Sequence, residues 1–365
     1  MDMTAPSDHS IAYFVSHHGL GHASRAAAVM EAMHGLDPKT RFEIFTKVPR
    51  WFFAQSLSRE FGYHRMEVDV GLIQESPLRT DFNATLCRLE EFYPPDPAKI
   101  SLTARILRAR DCRLVMCDIS PVGILVAKEA GIPSLLVENF TWDWIYRSYM
   151  HTFEAFGKHA EYLEEIFSSV DYLIQTGPFC VPKGADLTTR PVSRRVRTGS
   201  AEVRNELNIP QEAPLVMITL GGVPARIPFL DHLKGFPGVY FLIQGGNRAE
   251  EFDGKIIVLP YRSNLYHPDL VNASHVVIGK VGYSTLAEVY HAGVAFGYIP
   301  RQDFPESRAL VSFIREEING IPIGEEAFFE GLWLSRLEDL ISYPPLNRPG
   351  PNGSDQIAQF LLGLL

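Results

Sequence analysis

The sequence predicts an α/β protein made of two doubly wound domains, each with a mainly parallel sheet. Three observations carry this. Short apolar runs alternate with helical patterns along nearly the whole chain. Several of these runs end in glycine-rich turns. One polar, basic stretch, "PKGADLTTRPVSRRVRTGS" (182–200), interrupts the series near its middle and has no apolar period. It reads as the connection between domains, and 365 residues suit two of them.

The first series places strands at 11–16, 41–47, 113–118, 133–139 and 171–176. Between the first two, "ASRAAAVMEAMHG" (23–35) puts Ala26, Ala27, Met30 and Met33 on one helical face, and Gly35 ends the pattern. "PVGILVAKEAGIP" (121–133) repeats the design, with Gly131 as the helix stop and Pro133 opening the next strand. "VPRWFFAQ" (48–55) combines an arginine with three aromatics. A lipid-touching face is one reading, and a buried helix start is the stronger one. The second series places strands at 214–222, 239–246, 255–260, 275–280 and 294–300. "NGSDQIAQFLLGLL" (352–365) reads as a closing helix with an apolar face. In sheets of this kind ligands bind outside the carboxyl ends of the strands, so a cleft between two such domains is the expected site.

Bulk properties narrow the function. An apolar fraction of 46%, a charged fraction of 21% and a net charge of −9 fit a globular protein and argue against one that grips nucleic acid. The first ten residues lack a basic and apolar leader, and no run is long enough to span a bilayer, so a cytoplasmic protein is expected. The four cysteines show neither CxxC nor zinc spacing and read as buried, reduced thiols.

Five stretches carry chemistry. "HHGLGHASR" (17–25) is a strand-turn-helix junction, where free backbone N–H groups and the helix dipole favour an anion. As a dinucleotide fingerprint it is imperfect: Ser24 stands in place of the third glycine, and Glu43 lies mid-strand. A glycine turn separates His18 from His22, which spoils metal geometry. His17 and His18 read as exposed turn residues. His22 sits where the helix begins and suits a general base. "GKVGYSTLAEVYHAG" (279–293) is a second anion cradle. Within it Glu288 reads either as a capping-box partner of Thr285 or as a carboxylate for a ribose. "YIPRQDFPESRAL" (298–310) gathers Arg301, Asp303 and Glu306 after a strand, where they could meet phosphate or sugar. "ENFTWDWIYRSY" (138–149) is either core or a stacking wall. "TLGG" (219–222) and "IQGGN" (243–247) would let a ligand approach the backbone.

Taken in order, "GLGHASR", "CDISPVGILVAKEAGIPSLLVENFTWDWIY", "AEVRNELNIP", "LGG", "GKVGYSTLAEVYHAGVAFGYIPRQDFPE" and "NGSDQIA" cover nearly the whole chain. They give it a resemblance to GT-B-fold glycosyltransferases, in which two Rossmann-like domains face each other across a cleft. More narrowly, the chain resembles the glycosyltransferase-like N-terminal region of plant arabinokinases and its stand-alone bacterial relatives. The resemblance implies an acceptor domain over 1–190, a donor domain over 200–345, and a helix over 346–365 that packs back on the first domain. It implies a nucleotide-sugar donor, with Gly221 and Gly222 near the diphosphate and Gly282, Ser284 and Thr285 cradling it. Glu288 would take the ribose, and Arg301, Asp303 and Glu306 would lie near the donor sugar. Tyr283 stands where many relatives carry glycine or serine, and its ring would shape the phosphate site. On the acceptor side the implied residues are His18, Gly19, Gly21, Asp118, Asn139 and Trp142, with His22 as base. No metal is implied, and no cofactor beyond the nucleotide sugar. The sugar-kinase domain of the plant proteins has no counterpart up to Leu365, so no kinase activity is expected. The function expected is a glycosyltransferase acting on an unspecified hydroxyl acceptor by His-assisted displacement. A nucleotide-sugar hydrolase or epimerase, and a non-catalytic nucleotide-sugar sensor, are the rivals.

Overall fold

The computed structural model describes residues 9–76, 78–221, 227–246, 251–260 and 262–365. The chain forms two compact units. The first holds the residues up to Glu75, Thr80–Val192 and Pro351–Leu365. The second holds Ser76–Arg79 and Ser193–Gly350.

In the first unit are β1 (Ser10–Val15), β2 (Arg41–Thr46) and β3 (Gly62–Arg65), followed by a small hairpin, β4 (Gln74–Ser76) and β5 (Arg79–Thr80), whose tip Ser76–Arg79 belongs to the second unit. Then come β6 (Cys112–Asp118), β7 (Ser134–Glu138), β8 (Tyr172–Thr176) and β9 (Leu187–Thr189). The main sheet runs β3-β2-β1-β6-β7-β8-β9, parallel throughout. Residues 10–15 of β1 are buried on both faces, as its continuous apolar run requires in a central parallel strand. Helix Pro121–Ala130 shows why the second helix pattern is legible. Ser120 caps it by accepting from Gly123 N at 3.2 Å, Pro121 opens it, and Gly131 at φ +67° closes it. Gly123 is needed for packing, because a Cβ there would meet Cys117 Sγ at 2.6 Å and Phe14 Cβ at 2.8 Å.

The closing helix, Gly353–Leu364, packs on helix Gly21–Leu36, and Ile357, Ala358 and Leu361 join the core shared with Met30 and Met33. Asn352 caps it through Ser354 N at 3.1 Å. Gly353 N donates to Pro191 O at 3.2 Å, and Arg190 N donates to Gln356 Oε1 at 3.0 Å. The two stretches of chain that flank the second unit therefore meet inside the first.

The second unit contains β10 (Leu215–Thr219), β11 (Tyr240–Gly246), β12 (Glu251–Asp253), β13 (Ile256–Pro260), β14 (Val276–Lys280), β15 (Ala295–Ile299) and β16 (Gly320–Pro322). Its sheet runs β12-β13-β11-β10-β14-β15-β16, with β12 antiparallel to β13 and the other pairs parallel. Alternate residues feed two cores: Leu215 and Met217 go to one, Val216 and Ile218 to the other. Leu78, from the β4–β5 hairpin, lies in the second of these cores.

Helix Tyr283–Ala292 stops at Gly293, which is left-handed at φ +70°. A Cβ there would also run into the Leu346 carbonyl oxygen. Gly293→Ala is expected to lower the unfolding free energy by about 2–4 kcal/mol, from left-handed strain plus overpacking. Urea midpoints at constant slope would measure it.

The ten strands read from sequence all form. The short edge strands β3, β4, β5, β9, β12 and β16 were not read, because runs such as "GYHR", "LTT" and "GIP" carry no apolar alternation. Residues 182–200 are more than a connection. They contain β9 and the buried Val192 and Arg194. In "VPRWFFAQ", Phe52 and Phe53 are buried in the core, so the buried helix start is the reading that holds. Cys112 and Cys117 are buried, whereas Cys87 is exposed, against the expectation that all four thiols are enclosed. Among the described residues, no helix is long and apolar enough to cross a membrane.

Candidate functional site

In the first unit the carboxyl ends of β1, β6, β7 and β8 bring together one buried polar network. Helix Gly21–Leu36 follows β1 through a turn in which Gly19 adopts φ +75°, a conformation that favours glycine. Gly21 is the first residue of the helix, and no side chain caps it. One residue on, His22 is 9% exposed and its Nδ1 lies 2.7 Å from Asp118 Oδ1. Three residues further, on the same helical face, Arg25 forks onto Asp118. Its Nε donates to Oδ2 at 2.7 Å and its Nη2 to Oδ1 at 2.6 Å. Arg25 Nη1 also donates to Asn139 Oδ1 and, at 3.2 Å, to Thr176 Oγ1. Asn139 Nδ2 in turn donates to the Pro178 carbonyl at 3.0 Å.

The charges in this network settle its protonation. Asp118 has no exposed surface. Burial works to raise its carboxyl, but Arg25 and then His22 outweigh it and hold the carboxyl below the usual carboxylate range. Asp118 is therefore an acceptor, and Arg25 can only donate. The proton between His22 and Asp118 comes from the imidazole, which puts an N–H on Nδ1; in the neutral ring the lone pair is then on Nε2. Among the described residues Nε2 has no hydrogen-bond partner. The arrangement is an oriented imidazole able to accept a proton from a hydroxyl.

His17 and His18 are not loose turn residues. His17 Nδ1 lies 3.3 Å from the fully buried Asp69, whose other oxygen accepts from Trp142 Nε1 at 2.9 Å. His18 Nδ1 accepts from Leu72 N at 3.4 Å, and its ring meets Trp142 edge-on at 5.2 Å. Gly71, at φ +68°, lets that loop lie against the His18 ring, since a Cβ there would be 2.9 Å from Nδ1. Most of "ENFTWDWIYRSY" is core. Trp142 is 1% exposed, and Tyr146 is buried with its hydroxyl donating to Gly71 O at 2.9 Å. Trp142 thus offers no open face for stacking in this structure and serves as the wall behind His18 and His22.

In the second unit, β14 ends at Lys280 and helix Tyr283–Ala292 follows, with Gly282 as its N-cap and no side-chain cap bond. Gly282, Tyr283 and Ser284 are half-buried and Thr285 is buried. The Tyr283 ring packs partly against the core. Gly221, at φ +70°, turns the chain after β10. Gly222 lies outside the described residues. Arg301 and Glu306 are buried and face each other at 3.8 Å, and Asp303, half-buried, lies between them in sequence.

Glu288 is not a capping partner of Thr285. It sits in the second turn, buried, with one oxygen accepting from Arg194 Nε and Nη2 at 3.2 and 3.0 Å. The other meets His267 Nδ1 at 2.5 Å. Burial works to raise this carboxyl, but Arg194 and His267 hold it below the usual range. Tyr266 lies under both Arg194 and Arg197, at 5.1 and 4.4 Å.

Of the residues named from sequence, His22, Asp118 and Asn139 fall into one network, and His18 and Trp142 border it. Arg301 and Glu306 pair. Sequence reading missed Arg25, Asp69, Arg194, His267 and Lys280. The spacing of His22 and Arg25 was the available signal for the first. Arg194 carried none, because it lies in a stretch read as linker. Among the described residues no three His, Cys, Asp or Glu side chains gather as a metal cluster.

Comparison with known proteins agrees with this architecture. No family model matches the chain. It is 29% identical over 369 residues to the L-arabinokinase of Arabidopsis thaliana, covering 98% of this chain and 35% of that protein. The chain thus spans about a third of the plant protein's length. It is 22% identical over 285 residues to an uncharacterized glycosyltransferase of Methanopyrus kandleri, covering 73% of this chain and 80% of that one. Among solved structures it is similar to MurG of Acinetobacter baumannii, with a TM-score of 0.56 and 14% identity over 97% of this chain and 99% of that one. It is also similar to a UDP-glucosyltransferase from Polygonum tinctorium, with a TM-score of 0.60 and 14% identity over 99% and 94%. The fold is GT-B, with two Rossmann-like units.

Proposed function

We propose that this GT-B chain is a glycosyltransferase that moves a sugar from a nucleotide-sugar donor to a hydroxyl acceptor. The observation that carries the reading is the His22–Asp118 pair at the strand ends of the first unit, with its Nε2 left to accept a proton. In the proposed step Nε2 takes the acceptor's hydroxyl proton as that oxygen bonds to the anomeric carbon. The bond from the anomeric carbon to the diphosphate oxygen breaks, and the nucleoside diphosphate leaves with the electron pair. Asp118 stabilises the imidazolium that forms. The first unit takes the acceptor, with the turn at Gly19 and Gly21 beside His22. The second takes the donor, through the uncapped helix start at Gly282–Thr285, Gly221, Arg301, Asp303 and Glu306. Direct displacement inverts the anomeric carbon. A UDP donor is part of the proposal, supported by the neighbours' names, and a cytoplasmic setting is proposed with it. No cofactor is assigned a step.

A thermal-shift panel of nucleotide sugars tests the donor half. A ligand at a hundred times its dissociation constant is expected to add about 2.7 kcal/mol of apparent stability. No shift with any member would defeat the reading. Product analysis separates the rivals: free sugar or an epimer formed without acceptor points to a hydrolase or an epimerase, and tight binding without turnover points to a sensor.

A further inference from the structure

One charged side chain in the second unit has no place in the scheme so far. Lys280 ends β14, immediately before the Val281–Gly282 turn into helix Tyr283–Ala292. Its stem crosses the turn at Gly221: a Cβ on Gly221 would lie 2.9 Å from Lys280 Cε and 3.7 Å from Nζ. Gly221 therefore does more than adopt a left-handed conformation, because it leaves the channel in which the lysine lies. The side chain is partly buried, and Nζ makes no hydrogen bond or salt bridge among the described residues. The charged groups it feels are Arg301 and Glu306, both from the segment after β15. On its other flank, among the described residues, β10, Leu220 and Gly221 carry no charged side chain, and Tyr283 is the first titratable residue of the helix that follows.

We propose that Lys280 is a direct ligand of the donor's diphosphate, and that the contact is completed by a proton taken up as the donor binds. The inference rests on the donor reading above and adds a residue and a proton to it. A partly buried ammonium beside an arginine, with Glu306 as a carboxylate that Arg301 also pairs with at 3.8 Å, is short of negative charge, and a diphosphate laid against the uncapped helix start would supply it. Burial first, then Arg301, push the ammonium down to about 7, with Glu306 pulling the other way. A bound diphosphate raises it again. Between about 7 and that raised value the complex holds more protons than the free protein, so affinity falls as pH rises through the window. Below about 7 the lysine is already charged and affinity no longer depends on it.

Titration calorimetry tests this with UDP-glucose, GDP-mannose and ADP-glucose, whose phosphodiesters exchange no proton in this range. Runs at pH 8 in two buffers of different ionisation enthalpy count the protons. The wild-type chain should take up close to one proton with whichever probe binds. Lys280→Arg should bind with no uptake. Lys280→Met should bind about 10–100-fold more weakly, the loss expected for a charged hydrogen bond. Melting of the unliganded variants separates lost binding from lost folding. Wild-type uptake that persists in Lys280→Arg, or unchanged affinity in folded Lys280→Met, overturns the lysine's role while the donor reading stands. Binding of none of the three probes by the wild type overturns both.

Discussion

His22→Gln is expected to lower turnover by about 10²–10⁴-fold, the range that a positioned general base contributes. Glutamine keeps a polar side chain near Asp118 and Arg25, so the buried network retains partners and the melting temperature should hold. Donor affinity should also hold, because the donor is assigned to the other unit. A loss of kcat with constant donor affinity is the signature of a group that acts in the transition state. Asp118→Asn should share the kinetic loss for a different reason. Asp118 fixes the imidazole with its proton on Nδ1, and Arg25 grips the same carboxylate through two nitrogens. An amide there opposes Arg25 with one donor and frees the ring to take the wrong tautomer. A His22→Gln enzyme with full turnover would end the base assignment.

Arg194→Met is expected to cost about 3–5 kcal/mol of stability, because it strands Glu288 as a buried carboxylate with one oxygen unpaired. Chemical denaturation reads the loss directly. The double variant Arg194→Met/Glu288→Leu should recover much of it, since removing both charges removes the desolvation as well. The pair also sets an acid limit. Glu288 is held below its unfolded value of 4.5, so the folded state binds fewer protons there. The contribution is fully present above that value and is lost as pH falls through the depressed folded value. A wild-type stability profile should therefore drop on acidification more steeply than that of the double variant.

Buried parallel strands were the part most open to sequence reading. β1 and β10 are apolar on both faces and need no partner to be recognised. Capped helices were nearly as clear, as Ser120, Pro121 and Gly131 show. Edge strands were hidden because β9 and β16 owe their existence to a neighbouring strand and not to three residues of their own. The site divided along the same line. His22 was visible from its place at a helix start. Asp118 and Asn139 were placed near the acceptor through the family resemblance. That Asp118 orients His22, and that Arg25 binds both to Thr176, depends on sequence separations of 93 to 151 residues. No local pattern encodes those distances. Glu288 illustrates the opposite hazard. A spacing that fits a capping box was satisfied in sequence and unused in the fold, because Arg194 and His267 are stronger partners for a buried carboxylate.

The hydrogen bonds of Gly353 to Pro191 and of Arg190 to Gln356 have a further consequence. They make the second unit a cassette: the chain leaves the first unit at Val192 and re-enters it at Pro351, next to where it left. A construction that ends at Val192 would strip the closing helix from helix Gly21–Leu36, the helix that carries His22. One that joins Val192 to Pro351 through a short linker would keep it. Under the function proposed above, replacing the cassette whole would exchange the donor site, and among the described residues Leu78, in its core, and Arg79, paired with Glu325 at 3.3 Å, would have to be matched to it.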